Sequence, residues 1–255
     1  MSDDAPPPDP SPSEPRPALH ARTFAAWPAW ADLSLDVVHY GPDIPTEAQL
    51  RLLGSLEGKR VLELGCGGGP ASVAMAKQGA RVIAVDDSAD QIAHARRLCE
   101  REEVKIELHE GDLAELAFVR ADGIDVAVSI YALGGVEDLN RVFRQVHRVL
   151  KPEAPFVISI PHPTYVAVSA GIQPPVFRRS YFDRTPIGWQ SGQTAGVDMP
   201  YTMGDLFTFL TRANFRLDTL LEPEPAPSAS RSRHWSETMR WVPSTLILRA
   251  RKQGI

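Results

Sequence analysis

The stretch KRVLELGCGGGPASVAMAKQGARVIAVDDSAD, residues 59–90, constrains this chain more than any other. An apolar run from Arg60 to Leu64 has the length and composition of a buried strand, and Gly65–Gly69 is a glycine loop. A helix is predicted over about Pro70–Gln78, and a second buried strand over Arg81–Val85 that ends on Asp86. Strand, glycine loop, helix and strand make half of a doubly wound nucleotide-binding fold, whose ligands sit outside the carboxyl ends of the strands. Glycines let the backbone turn sharply and approach a ligand without a Cβ in the way. The helix that follows directs unpaired N–H groups and its positive dipole end to the same place. Asp86 stands about 20 residues after Gly65, the interval at which a carboxylate meets ribose hydroxyls.

The spacing also discriminates among nucleotides. A dinucleotide fingerprint requires GxGxxG, with its third glycine where this chain has Pro70. The glycines fall instead as GxGxG, and Glu63 precedes the first of them by two positions. A carboxylate beside the loop repels a pyrophosphate and suits a ligand carrying an ammonium group. These residues resemble the class I S-adenosylmethionine-dependent methyltransferases, whose first motif is an acidic residue followed by xGxGxG; VLELGCGGG and VIAVDDS match it.

That resemblance implies an α/β, Rossmann-like doubly wound sheet of seven strands. Its order is 3-2-1-4-5-7-6, with strand 7 antiparallel, and an N-terminal helical cap and a lid insertion are added to it. It implies S-adenosyl-L-methionine as cofactor and S-adenosyl-L-homocysteine as product. The cofactor contacts carried over are Glu63, Gly65, Cys66, Gly67, Gly69, Asp86, Asp87 and Ser129, with Asp112 and Leu113 placed to meet the adenine. No metal is called for. Relatives often carry a His pair where this chain has Gly134-Gly135, so a role resting on that pair does not transfer.

Composition narrows the setting. The 255 residues are 43% hydrophobic and 23% charged, as in a globular protein with one large core. The net charge of −5 argues against a nucleic-acid surface as main partner, and no apolar run approaches a membrane span. An Asn/Asp-Pro-Pro-aromatic tetrapeptide, a mark of nucleic-acid methylation, is also missing after strand four, where the chain reads Ser129-Ile130-Tyr131-Ala132. Two cysteines, no secretory signal and no disulfide framework point to a reducing cytoplasm.

Along the chain, residues 1–19 form a Pro-rich tail too poor in apolar side chains to offset its ordering entropy. Residues 20–255 read as one domain. Its cap, 20–58, is rich in Phe24, Trp27, Trp30 and Tyr40, and ends in a helix opened by a Thr46/Gln49 capping box with Leu50, Leu53 and Leu56 on one face. A Ser88/Gln91 box opens the helix after Asp86, and Val104, Ile106 and Leu108 alternate along strand three. A fourth strand spans 125–130. Leu139, Val142, Phe143, Val146, Val149 and Leu150 line one helix face, and PFVISI is strand five.

Residues 161–202 lack periodicity, hold several prolines and aromatics with Arg178, Arg179 and Arg184, and read as a substrate lid. Thr202 then caps a helix with Met203, Leu206, Phe207 and Leu210 aligned. FRLDTLLEPEP and STLILRARK are the last strands, separated by a polar excursion.

A phenol or alcohol acceptor needs a general base, for which His162, just past strand five, and His39, in the cap, are the candidates. For each, a structural or surface histidine is the more common reading. Tyr131 is placed to approach the acceptor or the methionine moiety, or to serve the core. The expected activity is methyl transfer to a small molecule. The alternatives are a cofactor-binding protein without catalysis and a dinucleotide-dependent oxidoreductase, the latter opposed by Pro70 and Glu63.

Overall fold

The computed structural model describes residues 33–168, 174–191, 194–227 and 231–254. The Pro-rich tail and the Phe24–Trp30 part of the cap lie outside the described residues. Strands β1 (Arg60–Leu64), β2 (Arg81–Asp86), β3 (Ile106–Glu110), β4 (Val126–Ile130) and β5 (Pro155–Pro161) pair in parallel, while β9 (Thr245–Lys252) runs antiparallel to β5 and to β8 (Phe215–Leu221). The sheet order is β3-β2-β1-β4-β5-β9-β8. This is the expected 3-2-1-4-5-7-6 arrangement once a separate hairpin, β6 (Ile187–Ser191) with β7 (Thr194–Asp198), is set aside.

Both faces of the sheet are covered, so its central strands are apolar throughout rather than alternating. All five residues of β4 are buried. Neighbouring residues divide between the faces with the period of two that a strand imposes. Leu62, Leu64, Ile158 and Ile160 join α4 (Leu139–Val149) and α6 (Met203–Arg212) in one core. Val61, Val128 and Val157 join α2 (Pro70–Lys77) and cap residues Val38, Tyr40 and Ile44 in the other. Side-chain caps start the helices where expected: Ser88 accepts from Gln91 N–H to open α3 (Ala89–Arg101), Asp138 accepts from Arg141 N–H, and Thr202 and Asp205 form a reciprocal box.

Four expectations need correction. The helix foreseen through Leu56 is one turn long, α1 (Glu47–Leu50), because Arg51 takes a left-handed φ of 51°. Glu47 ends it: its buried carboxylate accepts from Tyr40 O–H at 2.7 Å, Leu52 N–H at 2.9 Å and Leu53 N–H at 2.8 Å. The chain thereby folds back, and Leu52, Leu53 and Leu56 reach the core from extended backbone. Replacing Glu47 with alanine strands three buried donors and is expected to cost about 3 kcal/mol or more, read from urea unfolding. A loss under about 1 kcal/mol would mean that the cap is held by its leucines alone.

Second, the insertion is less irregular than its sequence. It holds a short helix, α5 (Pro163–Ala167), and the β6–β7 hairpin, whose alternation is obscured by its shortness and by Gly188 and Gly196. Third, Phe207 is 52% exposed, because one step round α6 from Leu206 turns it off the face that Leu206 and Leu210 bury. Fourth, the polar excursion before β9 is docked on the body. Ser232 bonds Asp43 through its N–H and hydroxyl, and Thr238 and Met239 are buried in a 3₁₀ turn.

Candidate active site

The glycine loop lies at the carboxyl ends of β1 and β2 and is locked from behind. The N–H groups of Gly65 and Cys66 both donate to Val85 O, at 2.7 and 3.1 Å. Gly67 N–H donates to Asp86 Oδ2 at 2.8 Å, and Ser88 N–H donates to Asp86 Oδ1 at 3.0 Å. One buried carboxylate thus ties β2, the loop and the start of α3 together. Gly65 has φ +71°, and a Cβ there would stand 2.0 Å from Ala132 Cβ, so the turn after β4 presses on the loop. Gly69, with φ +86°, serves as N-cap of α2 and lets Ala95 of α3 approach.

Glu63 is fully buried beneath this loop. Its Oε2 accepts a short hydrogen bond from the Ser72 hydroxyl on α2, while Oε1 is buried without a partner. Burial, opposed by the Ser72 bond and reinforced by the charge on Asp86, pushes its pKa up to about 8. A buried carboxyl with an unsatisfied oxygen is costly, and a cationic group delivered to it would relieve that cost. Ser72 was not foreseen as part of the site, because only the folded contact between β1 and α2 brings it to Glu63.

Of the remaining expected cofactor contacts, Asp112 and Leu113 follow β3 beside the loop. Leu113 is buried near Gly65, and Asp112, half-exposed, accepts from Ala114 N–H at 2.8 Å with Arg141 at 3.5 Å from its other oxygen. Asp87 is exposed next to Asp86. Cys66 contributes loop backbone only, since its side chain is buried in the core, where burial raises the thiol pKa well above its ordinary value. Ser129 departs from expectation. It is fully buried, and its hydroxyl donates to Leu64 O at 2.9 Å, joining the ends of β1 and β4 rather than facing an open site.

The proposed catalytic residues gather around the start of β9. Tyr131 is fully buried in a left-handed conformation, φ +54°, and its hydroxyl lies 2.6 Å from Thr245 Oγ1; burial raises its pKa. His162 N–H donates to Ser244 O. Its ring does not offer a free base: Nδ1 accepts from Thr164 N–H at 3.1 Å and Nε2 pairs with Glu222 at 2.8 Å. Burial lowers its pKa, with the Glu222 carboxylate opposing. His39 stands two residues before Gly41, whose Cα position leaves no room for a Cβ against Thr245. Its ring bonds the Ser34 backbone, burial lowers its pKa, and its Nε2 is buried without a partner. Tyr165 on α5 bonds Ser236 of the excursion. Three segments therefore close over the ends of β4, β5 and β9: the cap, α5 and the excursion. The excursion was the part not foreseen, since nothing in its polar sequence marks a docked segment.

Two of the insertion's three arginines are occupied, while Arg178 is exposed. Arg179 pairs with Asp183 at 2.9 Å and Arg184 with Asp205 at 2.8 Å. No helix among the described residues is long and apolar enough to cross a membrane.

A mixed sheet of this order, with a glycine cradle at its carboxyl edge and an acidic residue closing β2, defines a Rossmann-like nucleotide-binding protein. Residues 61–153 match the family model described as a methyltransferase domain. A solved S-adenosylmethionine-dependent methyltransferase from Mesorhizobium loti superposes with TM-score 0.67 at 28% identity, covering 80% of this chain and 96% of that one. The putative S-adenosylmethionine-dependent methyltransferase from Listeria monocytogenes gives 0.67 at 23% identity over 80% and 95% of the two chains. Among curated proteins, the ubiquinone biosynthesis O-methyltransferase of Bordetella avium (strain 197N) is 39% identical over 101 residues, 40% of this chain and 42% of that protein. The chain thus spans about two-fifths of the curated relatives it matches. Residues 61–153 thus match a methyltransferase domain, and the fold and cradle are those of S-adenosylmethionine-dependent methyltransferases, with S-adenosylmethionine as the cofactor.

Proposed function

We propose that the protein transfers a methyl group from S-adenosylmethionine to a small-molecule acceptor, by in-line displacement, in a reducing cytoplasm. The orphaned Oε1 of Glu63 beneath the glycine loop carries this reading, since it calls for a ligand with an ammonium group. In it, Glu63 and the loop hold the methionine end, Asp86 the ribose, and Asp112 and Leu113 the adenine. When bound, the cofactor supplies an electrophilic methyl on a sulfonium centre with a thioether as leaving group. The chain's own share is to orient the acceptor and exclude water, the task for which the cap, α5 and the excursion converge. The name of the Bordetella avium relative, which matches over 101 residues, supports oxygen as the accepting atom.

Calorimetry tests the cofactor half. S-Adenosylhomocysteine should bind and NAD should not. Asp86→Ala should weaken binding by about 1–3 kcal/mol, because a charged acceptor is lost and Gly67 N–H is released with it. Unchanged affinity in that variant would place the ribose elsewhere. Release of S-adenosylhomocysteine on incubation with a small-molecule extract tests turnover, and its absence would favour binding without catalysis.

A further inference from the structure

Beneath the insertion, at the carboxyl ends of β4 and β5, lies a cavity of about 40 Å³. Its wall is formed by Leu133, Gly134, Ile158, Ile160, Ala167 and Ile187. Leu133 directly follows Ala132, the residue that presses on Gly65 of the cofactor loop, so the cavity abuts the cradle through a single turn of chain. An apolar cavity is a poor site for water, and this one is roughly three times the ~10–15 Å³ that admits a single molecule.

The charges at its mouth are already matched. Arg179, on the rim, is held by Asp183, and Arg184 by Asp205, so neither is left to attract an anion. One large apolar side chain stands uncovered beside the rim: Phe182, 77% exposed, packs edge-on against the rim residue Tyr181. A mainly apolar recess next to a cofactor cradle is where a small ligand binds.

We propose that this cavity receives an apolar substituent of the acceptor, about two to four carbons deep, so that the acceptor is an alkyl-bearing, uncharged small molecule and not an anion. This inference deepens the methyl-transfer reading and rests on it for the word acceptor; the cavity's ligand preference is measurable without turnover.

The test is a titration of 4-methyl-, 4-propyl- and 4-hexylphenol into the full chain saturated with S-adenosylhomocysteine, followed by calorimetry. The dissociation constant should fall about fourfold per methylene, the free energy of burying one such group, until the cavity is full, and then level off. Ala167→Leu should move the levelling point to a shorter chain and Ile160→Ala to a longer one, both keeping S-adenosylhomocysteine affinity within about threefold. A variant that was merely damaged would not shift the two in opposite directions. No binding of any phenol, affinity independent of chain length, or an identical rise to hexyl in all three proteins would overturn the proposal. Should wild type fail to bind S-adenosylhomocysteine, the methyl-transfer reading falls, and the same series without it still decides the cavity.

Discussion

Glu63→Gln is expected to yield a protein that is more stable at alkaline pH and binds its cofactor poorly. Folding raises the Glu63 carboxyl from the ordinary range to about 8, chiefly by burial. A carboxyl whose pKa is raised by folding binds its proton more tightly in the folded state. Its contribution is therefore fully present below the unfolded value of about 4.3 and is lost as pH rises from there to about 8. The loss amounts to something on the order of 3–5 kcal/mol across that window. Glutamine keeps the shape and has no proton to lose, so the difference in stability between variant and wild type should grow from pH 5 to pH 8 and then stay constant. Carboxylates held below their usual range by cationic partners, such as Asp122 beside Lys252, are common to both proteins and cancel in the difference.

Cofactor binding should show the other side of the same residue. A ligand ammonium favours the Glu63 carboxylate, which forms above pH 8, while the ligand's amine keeps its proton until more alkaline pH. Wild-type affinity for S-adenosylhomocysteine should then rise up to about pH 8 and decline only in more alkaline solution, with a proton released on binding below pH 8. The variant should bind at least tenfold more weakly and without that release. Calorimetry in buffers of different ionisation enthalpy reads both. If Glu63→Gln binds as tightly as wild type, and its stability runs parallel to wild type with pH, the buried carboxyl is not the ammonium site.

Much of this arrangement was legible in the sequence where one physical requirement acted on consecutive residues. Parallel strands buried on both faces must be apolar throughout, and β1, β2, β4 and β5 were found within one or two residues of their bounds. A loop between strand and helix at the carboxyl edge must turn tightly, and its glycines announced it. What could not be read depended on specific side-chain contacts, some local and some between residues far apart in the chain. Arg51 ends α1 because Glu47 is claimed by Tyr40 on one side and Leu52 and Leu53 on the other. His162 was a candidate base by its place after strand five, but Glu222, just past β8, meets its ring. Ser129 carries a hydroxyl at the right strand end, yet it is spent on Leu64 O of the neighbouring strand. In each case a local signal was overridden by a hydrogen-bond partner that residue patterns do not announce.

The same logic makes Gly65→Ala the most disruptive small substitution at the site. Two penalties coincide there. A non-glycine residue at φ +71° costs about 1–2 kcal/mol in any surroundings. The new methyl would also fall 2.0 Å from Ala132 Cβ and 3.4 Å from its Cα, far inside contact distance for the former. Relief by movement is barred on both sides. The loop is fastened by the bonds of Gly65 and Cys66 N–H to Val85 O, and Tyr131, just before Ala132, is fastened by its own N–H to Ser159 O. Overpacking of this kind adds about 1–3 kcal/mol, for a total of roughly 2–5. In a domain of this size that lowers the melting temperature by about 4–20 °C. Gly54→Ala supplies the control: φ is +69° and nothing lies within 4 Å of the added methyl, so only the backbone term should appear. The decisive arm is the double variant with Ala132→Gly, which removes the opposing methyl and leaves the dihedral untouched. Gly65→Ala should then cost only about 1–2 kcal/mol, the value seen at Gly54. An equal cost in both backgrounds would show that the left-handed turn alone demands glycine, and that the contact between the cofactor loop and the turn after β4 can yield.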